Sequence, residues 1–261
     1  MKQELTELCH YRELLYMLTY RDIKVRYKQS VMGLLWAVLM PILIVSAGIV
    51  IRYAYALASG KPLVTGAIAS VAVKSLPWAF LASSIRFSCN SLINNQNLVT
   101  KVYFPKEVFP VAAVLASFFD LLIASGALVL FLLAVRIGWS VQLVWVPILL
   151  LAMTVMTVGI AIILSAASLF FRDVKYVVEV LITFGIFFTP VLFDVQMFGE
   201  KGKWLLLNPA APILEGFSAC IVHHQLPNLP WLMYSFIFGL TVLCGGYAFF
   251  KRLEPNFAEY I

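Results

Sequence analysis

Six apolar runs, each about as long as a bilayer is thick, leave this chain few folds to choose from. They cover residues 31–58, 63–93, 108–135, 142–170, 176–195 and 230–250. A spanning helix needs ~20 mostly apolar residues. Lipid admits only helices and closed barrels, because every backbone N–H and C=O must be paired internally. The runs lack the ~10-residue alternation of a barrel strand. Of 261 residues, 62% are hydrophobic and 12% charged, with a mean hydropathy of +0.93; soluble domains carry about 25% charged residues. The expectation is an all-α integral membrane protein of six transmembrane helices. The first thirty residues show no short apolar core followed by a small-residue cleavage site, so no cleavable secretory signal is expected.

Orientation follows from the cations. With the N-terminus inside, the inner segments 1–30, 94–107, 171–175 and 251–261 hold twelve Lys and Arg. The outer segments hold four: Lys61, Arg136, Lys201 and Lys203. A positive-inside bias of this size places both termini in the cytoplasm. The net charge of +6 is therefore a matter of topology, and no nucleic acid is expected as a partner.

Motifs for chemistry are missing. The stretch "GEKGKW" (199–204) lacks the P-loop spacing, and neither G-x-S-x-G nor H-E-x-x-H occurs. Cys9, Cys89, Cys220 and Cys244 form no C-x-x-C pair. His223 and His224 are adjacent rather than at the i, i+4 spacing that puts two ligands on one helix face. No catalytic residue and no metal site is expected.

Two segments need more than a hydropathy reading. The first is "YRDIKVRYKQSVMGLLWAVLMPIL" (20–43), where Arg21, Lys24, Arg26 and Lys28 precede the first span. On a helix, Tyr16, Tyr20, Ile23 and Tyr27 share one face, and Leu14, Leu18 and Val25 lie roughly opposite. A helix resting on a bilayer needs only one apolar face. The second face leaves open a helix wedged between the bundle and another protein. The other segment is 203–224, "KWLLLNPAAPILEGFSACIVHH", whose apolar length is broken by Asn208-Pro209 and Pro212. Neither half is long enough to cross, and two short outer re-entrant helices are expected between the fifth and sixth spans.

Charges that fall inside the expected spans include Arg52, Lys74, Arg86, Asp120 and Glu179. Each costs ~2.5–3.5 kcal/mol at a helix centre, so partners or wet cavities are expected. Arg52 and Lys74 lie near outer ends, within snorkelling reach. For Arg86 and Asp120 the open readings are an interhelical pair with each other or a role in a transport path. Aromatic side chains crowd the first, second and fifth spans, among them Trp36, Tyr53, Tyr55, Trp78, Phe187, Phe188 and Phe193. Such rings either pack in the bundle or line a path for sugar rings, whose C–H faces suit aromatic faces.

Several stretches, in order along nearly the whole chain, resemble one family: "YRDIKVRYKQSVMGLLWAVLMP" (20–41), "LPWAFLASSI" (76–85), "NSLINNQNLVTKVYFPKEVFP" (90–110), "FFRDVKY" (170–176), "LLNPAAPI" (206–213) and "EPNFAEYI" (254–261). The chain resembles the ABC-2 permeases of O-antigen and other polysaccharide exporters, relatives of teichoic-acid and capsule exporters. Leu34 stands where such proteins often carry proline.

The resemblance implies residues 1–30 as a cytoplasmic interface helix and 31–261 as an ABC-2 transmembrane domain with a cytoplasmic tail, 251–261. It implies a homodimeric channel in the bacterial inner membrane, surrounded by membrane lipids. Two ATP-binding cassette subunits would drive it, holding the ATP and Mg²⁺ that this chain cannot. The substrate would be an undecaprenyl-type lipid-linked polysaccharide. Coupling to the ATPase would fall to Arg21, Lys24 and Lys28, and to Arg172, Asp173 and Lys175 of a short coupling turn. The aromatic residues above would line the channel, and Arg86, Lys101 and Lys106 would meet the lipid pyrophosphate at the inner entrance. Export of teichoic acid, capsule, lipid or drug, or a membrane glycosyltransferase, are the alternative readings; the short loops lack the acidic clusters of the last.

Overall fold

The computed structural model describes residues 11–28, 32–60, 65–102 and 104–257. Residues 1–10 and 29–30 of the expected interface helix, position 31, the 61–64 stretch, Tyr103 and the last four residues of the tail lie outside the described residues. Among those described there are nine α-helices and no strand. They are α1 (Arg12–Lys28), α2 (Leu35–Ser59), α3 (Thr65–Cys89), α4 (Gln96–Lys101), α5 (Val108–Ala134), α6 (Val146–Phe170), α7 (Val174–Phe188), α8 (Ala210–Ile221) and α9 (Leu229–Leu253).

Five helical stretches are long and apolar enough to cross a membrane: Leu35–Ala58, Gly66–Cys89, Val108–Ala134, Val141–Phe170 and Leu229–Asn256. They match the first four expected spans and the sixth. The fifth differs. α7 has 15 residues, about 22 Å at 1.5 Å per residue, against a hydrocarbon core of ~30 Å. Pro190 is the reason: proline disfavours helical geometry in the residue before it, and Thr189 is extended at φ −117°, ψ 137°.

From Asp194 the chain passes into a 3₁₀ helix, Val195–Leu207, kinked at Gly199 with φ 55°, and then into α8. The break expected at Asn208-Pro209 is present. The Asn208 side chain closes it from both sides: its Oδ1 accepts the Ala210 N–H at 3.1 Å, and its Nδ2 donates to Thr189 Oγ1 at 2.9 Å. α8 therefore starts beside the broken end of α7. Just past its other end, Val222 lies close to Gly66 in the first turn of α3.

α3 is the central helix, packed against α2, α5, α6, α7 and α8. Its 69–74 stretch is buried on all sides, as expected of a helix without a solvent or lipid face. The tightest pair is α6 with α9, brought together by glycines. A Cβ on Gly159 would sit 2.7 Å from the Leu243 backbone nitrogen, and one on Gly246 would sit 2.9 Å from the Gly159 carbonyl oxygen. Small residues of this kind let membrane helices approach where no hydrophobic force drives them together.

A second apolar cluster lies at the α1 end of the bundle. Leu18 of α1, Val99 of α4, Phe109, Phe250 and Phe257 meet there. Phe257, from the "EPNF" stretch, is fully buried and packs its ring edge against Phe250 at 5.1 Å.

Candidate functional site

α1 is held to α5 by polar contacts as well as by Leu18. Arg26 Nη1 pairs with Asp120 Oδ2 at 2.7 Å, and its guanidinium lies 3.6 Å from the centre of the Phe87 ring. The same side chain donates to Ser117 Oγ at 3.2 Å and to the Ala113 carbonyl at 3.3 Å. The Tyr27 hydroxyl donates to the other Asp120 oxygen. Burial, reinforced by that carboxylate, raises the Tyr27 phenol above its usual range, so it stays a donor. Asp120 is thus paired with Arg26, not with Arg86. Arg86 instead makes a two-point pair with Glu179 of α7, both bonds 2.8 Å. The interhelical pair proposed between Arg86 and Asp120 is corrected: each has a different partner, because α1 folds back across α5 and α7 starts beside the end of α3.

The docked face of α1 leaves another bare. Tyr16, Met17 and Tyr20 are exposed, and the Tyr16 and Tyr20 rings stack at 6.4 Å; Val25, on another side, is exposed too. Of the two apolar stripes read from the sequence, Leu14 and Leu18 pack inward, whereas Val25 does not. Near this end α1, α2, α3 and α5 enclose a cavity of about 420 Å³ whose walls include Arg26, Trp36, Arg86 and Asp120.

At the α8 end lies a constellation that hydropathy concealed. Lys74 of α3 is fully buried. Its Nζ lies 2.6 Å from Asp194 Oδ1 and 3.1 Å from Glu215 Oε1 of α8, and it donates to the Phe193 carbonyl at 2.7 Å. Arg52 of α2, only 5% exposed, approaches Asp194 Oδ2 at 2.8 Å. That contact is an ion pair without hydrogen-bond geometry, and the Arg52 Nε is buried with no acceptor among the described residues. Ser70 donates to Asp194 at 2.7 Å and shares a second 2.7 Å bond with Ser218.

Two cations and two carboxylates therefore neutralise one another and tie α2, α3, the α7–α8 connection and α8 together. The expectation that Arg52 and Lys74 snorkel to the surface is overturned, because Asp194 and Glu215 reach them inside the bundle. The sequence carried only half of the signal: two cations in adjacent spans need two anions, but Asp120, Glu179, Asp194 and Glu215 all lie in the apolar stretches that follow.

The other residues singled out by sequence are dispersed. Arg21 pairs with its neighbour Asp22 at 2.8 Å, Lys24 leans over the Tyr20 ring, and Lys28 is exposed. Arg172, Asp173 and Lys175 are exposed on the turn between α6 and α7. Trp36, Tyr53 and Tyr55 of α2 and Phe187 and Phe188 of α7 are exposed. Phe193 packs its ring against Phe198, and Trp78 is buried in the core beside Gly185 of α7. Lys101 is exposed at the end of α4, and Lys106 lies over the Phe257 ring. The polar contacts missed by sequence reasoning also include Glu107, 2% exposed, which accepts from Lys251 at 3.1 Å and anchors the end of α9.

A bundle of long apolar helices, with a more polar helix docked at one end, has the build of a multi-pass membrane protein. The sequence matches the ABC-2 type transporter family over residues 13–222, and the chain belongs to that family, whose members work in ABC transporters with a separate ATPase. It is 29% identical over 251 residues to an O-antigen export system permease protein, RfbA, of Klebsiella pneumoniae, covering 95% of each chain. It is 27% identical over 258 residues to the O-antigen export system permease protein RfbA of Myxococcus xanthus, covering 98% of each.

Proposed function

We propose that the chain is the membrane subunit of an ATP-driven exporter that carries a lipid-linked, O-antigen-like polysaccharide across the bacterial inner membrane. The likeness to O-antigen export permeases along almost the full chain supports this substrate class. The structural observation that carries the mechanism is α1: one face is clamped to α5 through Arg26 and Asp120, and the other presents Tyr16, Met17 and Tyr20 unburied. A helix fixed to the bundle and bare on its far side is suited to receive a partner protein and pass its motion on.

In this reading α1 and the 171–176 turn meet the ATPase on the cytoplasmic side, with Arg21, Lys24 and Lys28 and Arg172, Asp173 and Lys175 as contact residues. The ATPase holds ATP and Mg²⁺. Six crossings, formed by α2, α3, α5, α6, α7 with its broken outer continuation, and α9, keep both termini inside. The 3₁₀ helix and α8 form the re-entrant outer segment. Two copies place the conduit on their shared axis, with the exposed rings of α2 and α7 facing it: Trp36, Tyr53, Tyr55, Phe187 and Phe188, and Phe193 at the outer end. Trp78 supports α7 from behind. ATP-driven closure of the partners moves α1 and the turn as levers and shifts the channel between closed and open states. The undecaprenyl-type pyrophosphate head is drawn to the basic residues at the α1 end, Arg86, Lys101 and Lys106 among them.

Co-purification with the ATP-binding subunit, followed by ATP turnover with and without lipid-linked glycan, tests the reading. The complex should assemble, lipid-linked glycan should stimulate turnover, and Arg21→Glu with Lys24→Glu should weaken assembly. Stimulation by a lipid, teichoic acid or drug but not by the glycan would replace the substrate assignment.

A further inference from the structure

The turn between α6 and α7 does more than present a surface. Together with the turn that follows α3 it encloses a cavity of about 430 Å³. Arg172, Lys175, Asn90, Asn94, Gln96 and Ser168 form its polar wall, with Ile93 and Leu169 as the apolar part. No carboxylate lines it. Among the described residues neither Arg172 nor Lys175 has an acidic partner within ion-pair distance; the neighbouring acid on α7, Glu179, is engaged by Arg86. Ser168 already donates to the Cys89 carbonyl, Asn90 Nδ2 reaches the Arg86 carbonyl at 3.5 Å and Lys175 lies over the Tyr176 ring, which leaves Arg172, Asn94 and Gln96 as the lining donors nearest to hand, with the Lys175 charge beside them.

We propose that this pocket binds a phosphate or pyrophosphate group. Its donors outnumber what one carboxylate can accept. A guanidinium matches the spacing of phosphate oxygens, and an ammonium adds a point charge. Both cations flank Asp173 at the N-terminal end of α7; that carboxylate makes no capping hydrogen bond, so the backbone donors of the first turn and the helix dipole still favour an anion there. The assignment rests on the exporter reading for its biological source, a lipid headgroup or a free phosphate, but not for its chemistry. It also gives the coupling turn two roles. Arg172 and Lys175 hold the anion on the pocket side while belonging, with Asp173, to the surface offered to the ATPase, so occupancy of the pocket bears directly on the segment that meets the motor.

The test titrates inorganic pyrophosphate into the purified permease–ATPase complex by calorimetry. The complex is held in nanodiscs of phosphatidylcholine alone or with phosphatidylglycerol. Wild type should bind, and Arg172→Gln with Lys175→Gln should weaken binding at least tenfold. Asn94→Asp, which keeps size and adds a negative charge, should do the same, and Lys203→Gln at the opposite end should change nothing. Competition by phosphatidylglycerol identifies a membrane headgroup as the source; indifference to it identifies a diffusible or substrate phosphate, and both support the site. Equal affinity in wild type and in both pocket variants would overturn it. So would variants that shed the ATPase while binding pyrophosphate as before, since the pocket then belongs to the partner. Asn94→Asp keeps the question open to refutation if the double variant fails to assemble. Because the readout is binding, a failed export assay leaves this result standing, and the reverse.

Discussion

Lys74 shows why a single buried charge is a poor guide until its neighbours are known. An unpaired ammonium in a bundle core would shed its proton or unfold the helix around it. Here Asp194, Glu215 and a backbone carbonyl satisfy it completely. Removing one partner of a buried pair is worse than never having had it, because the remaining charge stays buried; the usual cost is ~3–5 kcal/mol. Lys74→Met should destabilise the protein by that order. Lys74→Met combined with Glu215→Gln retains the Arg52–Asp194 pair and should be less damaging than the two single changes added together. Thermal unfolding of the purified variants in one detergent measures both, and simple additivity would show that the four charges do not act as a unit.

Helices in this bundle are held by unlike devices, and substitutions separate them. α6 and α9 meet backbone to backbone at Gly159, so Gly159→Ala has nowhere to put its methyl group and should destabilise by about 1–3 kcal/mol. Gly126 of α5 has open space around its Cβ direction, and Gly126→Ala should be neutral or stabilise by up to ~1 kcal/mol through helix propensity. The same unfolding assay compares them. α1 depends on Asp120 instead. Asp120→Asn keeps the shape but discharges the clamp around Arg26 and Tyr27, and should raise ATP turnover that is not matched by export. Export and turnover that fall in proportion would instead show that the clamp only supports folding.

The number of crossings turns on one short helix. α7 stops at Thr189, so the proposed fifth crossing depends on the Pro190–Asp194 stretch, whose Asp194 is held by Lys74 and Arg52. With Cys9, Cys89, Cys220 and Cys244 replaced, Ser140→Cys and Lys201→Cys should react with an impermeant thiol reagent from outside. Leu98→Cys and Ala258→Cys should be protected. External labelling at Ala258→Cys would mean an odd number of crossings and a reversed tail.

Long apolar stretches, their order and their helical nature were legible in the chain, because lipid leaves an exposed backbone no alternative to internal pairing. The break at Asn208-Pro209 was legible for the same local reason, since proline acts on the residue beside it. The end of α7 is equally local: Pro190 encodes it, yet the hydropathy of 176–195 masked it. Pairing was not legible. Arg86 and Asp120 looked like partners because both lie in spans, yet one chose Glu179 and the other Arg26, from segments distant in sequence. Arg52 and Lys74 looked like surface-seeking cations, yet Asp194 and Glu215 meet them in the interior. Hydropathy and proline act over a few residues and can be read along a chain. Charge neutralisation acts across space, and only the packing of α1 on α5, and of α7 and α8 around α3, decides which charges come within 3 Å of each other.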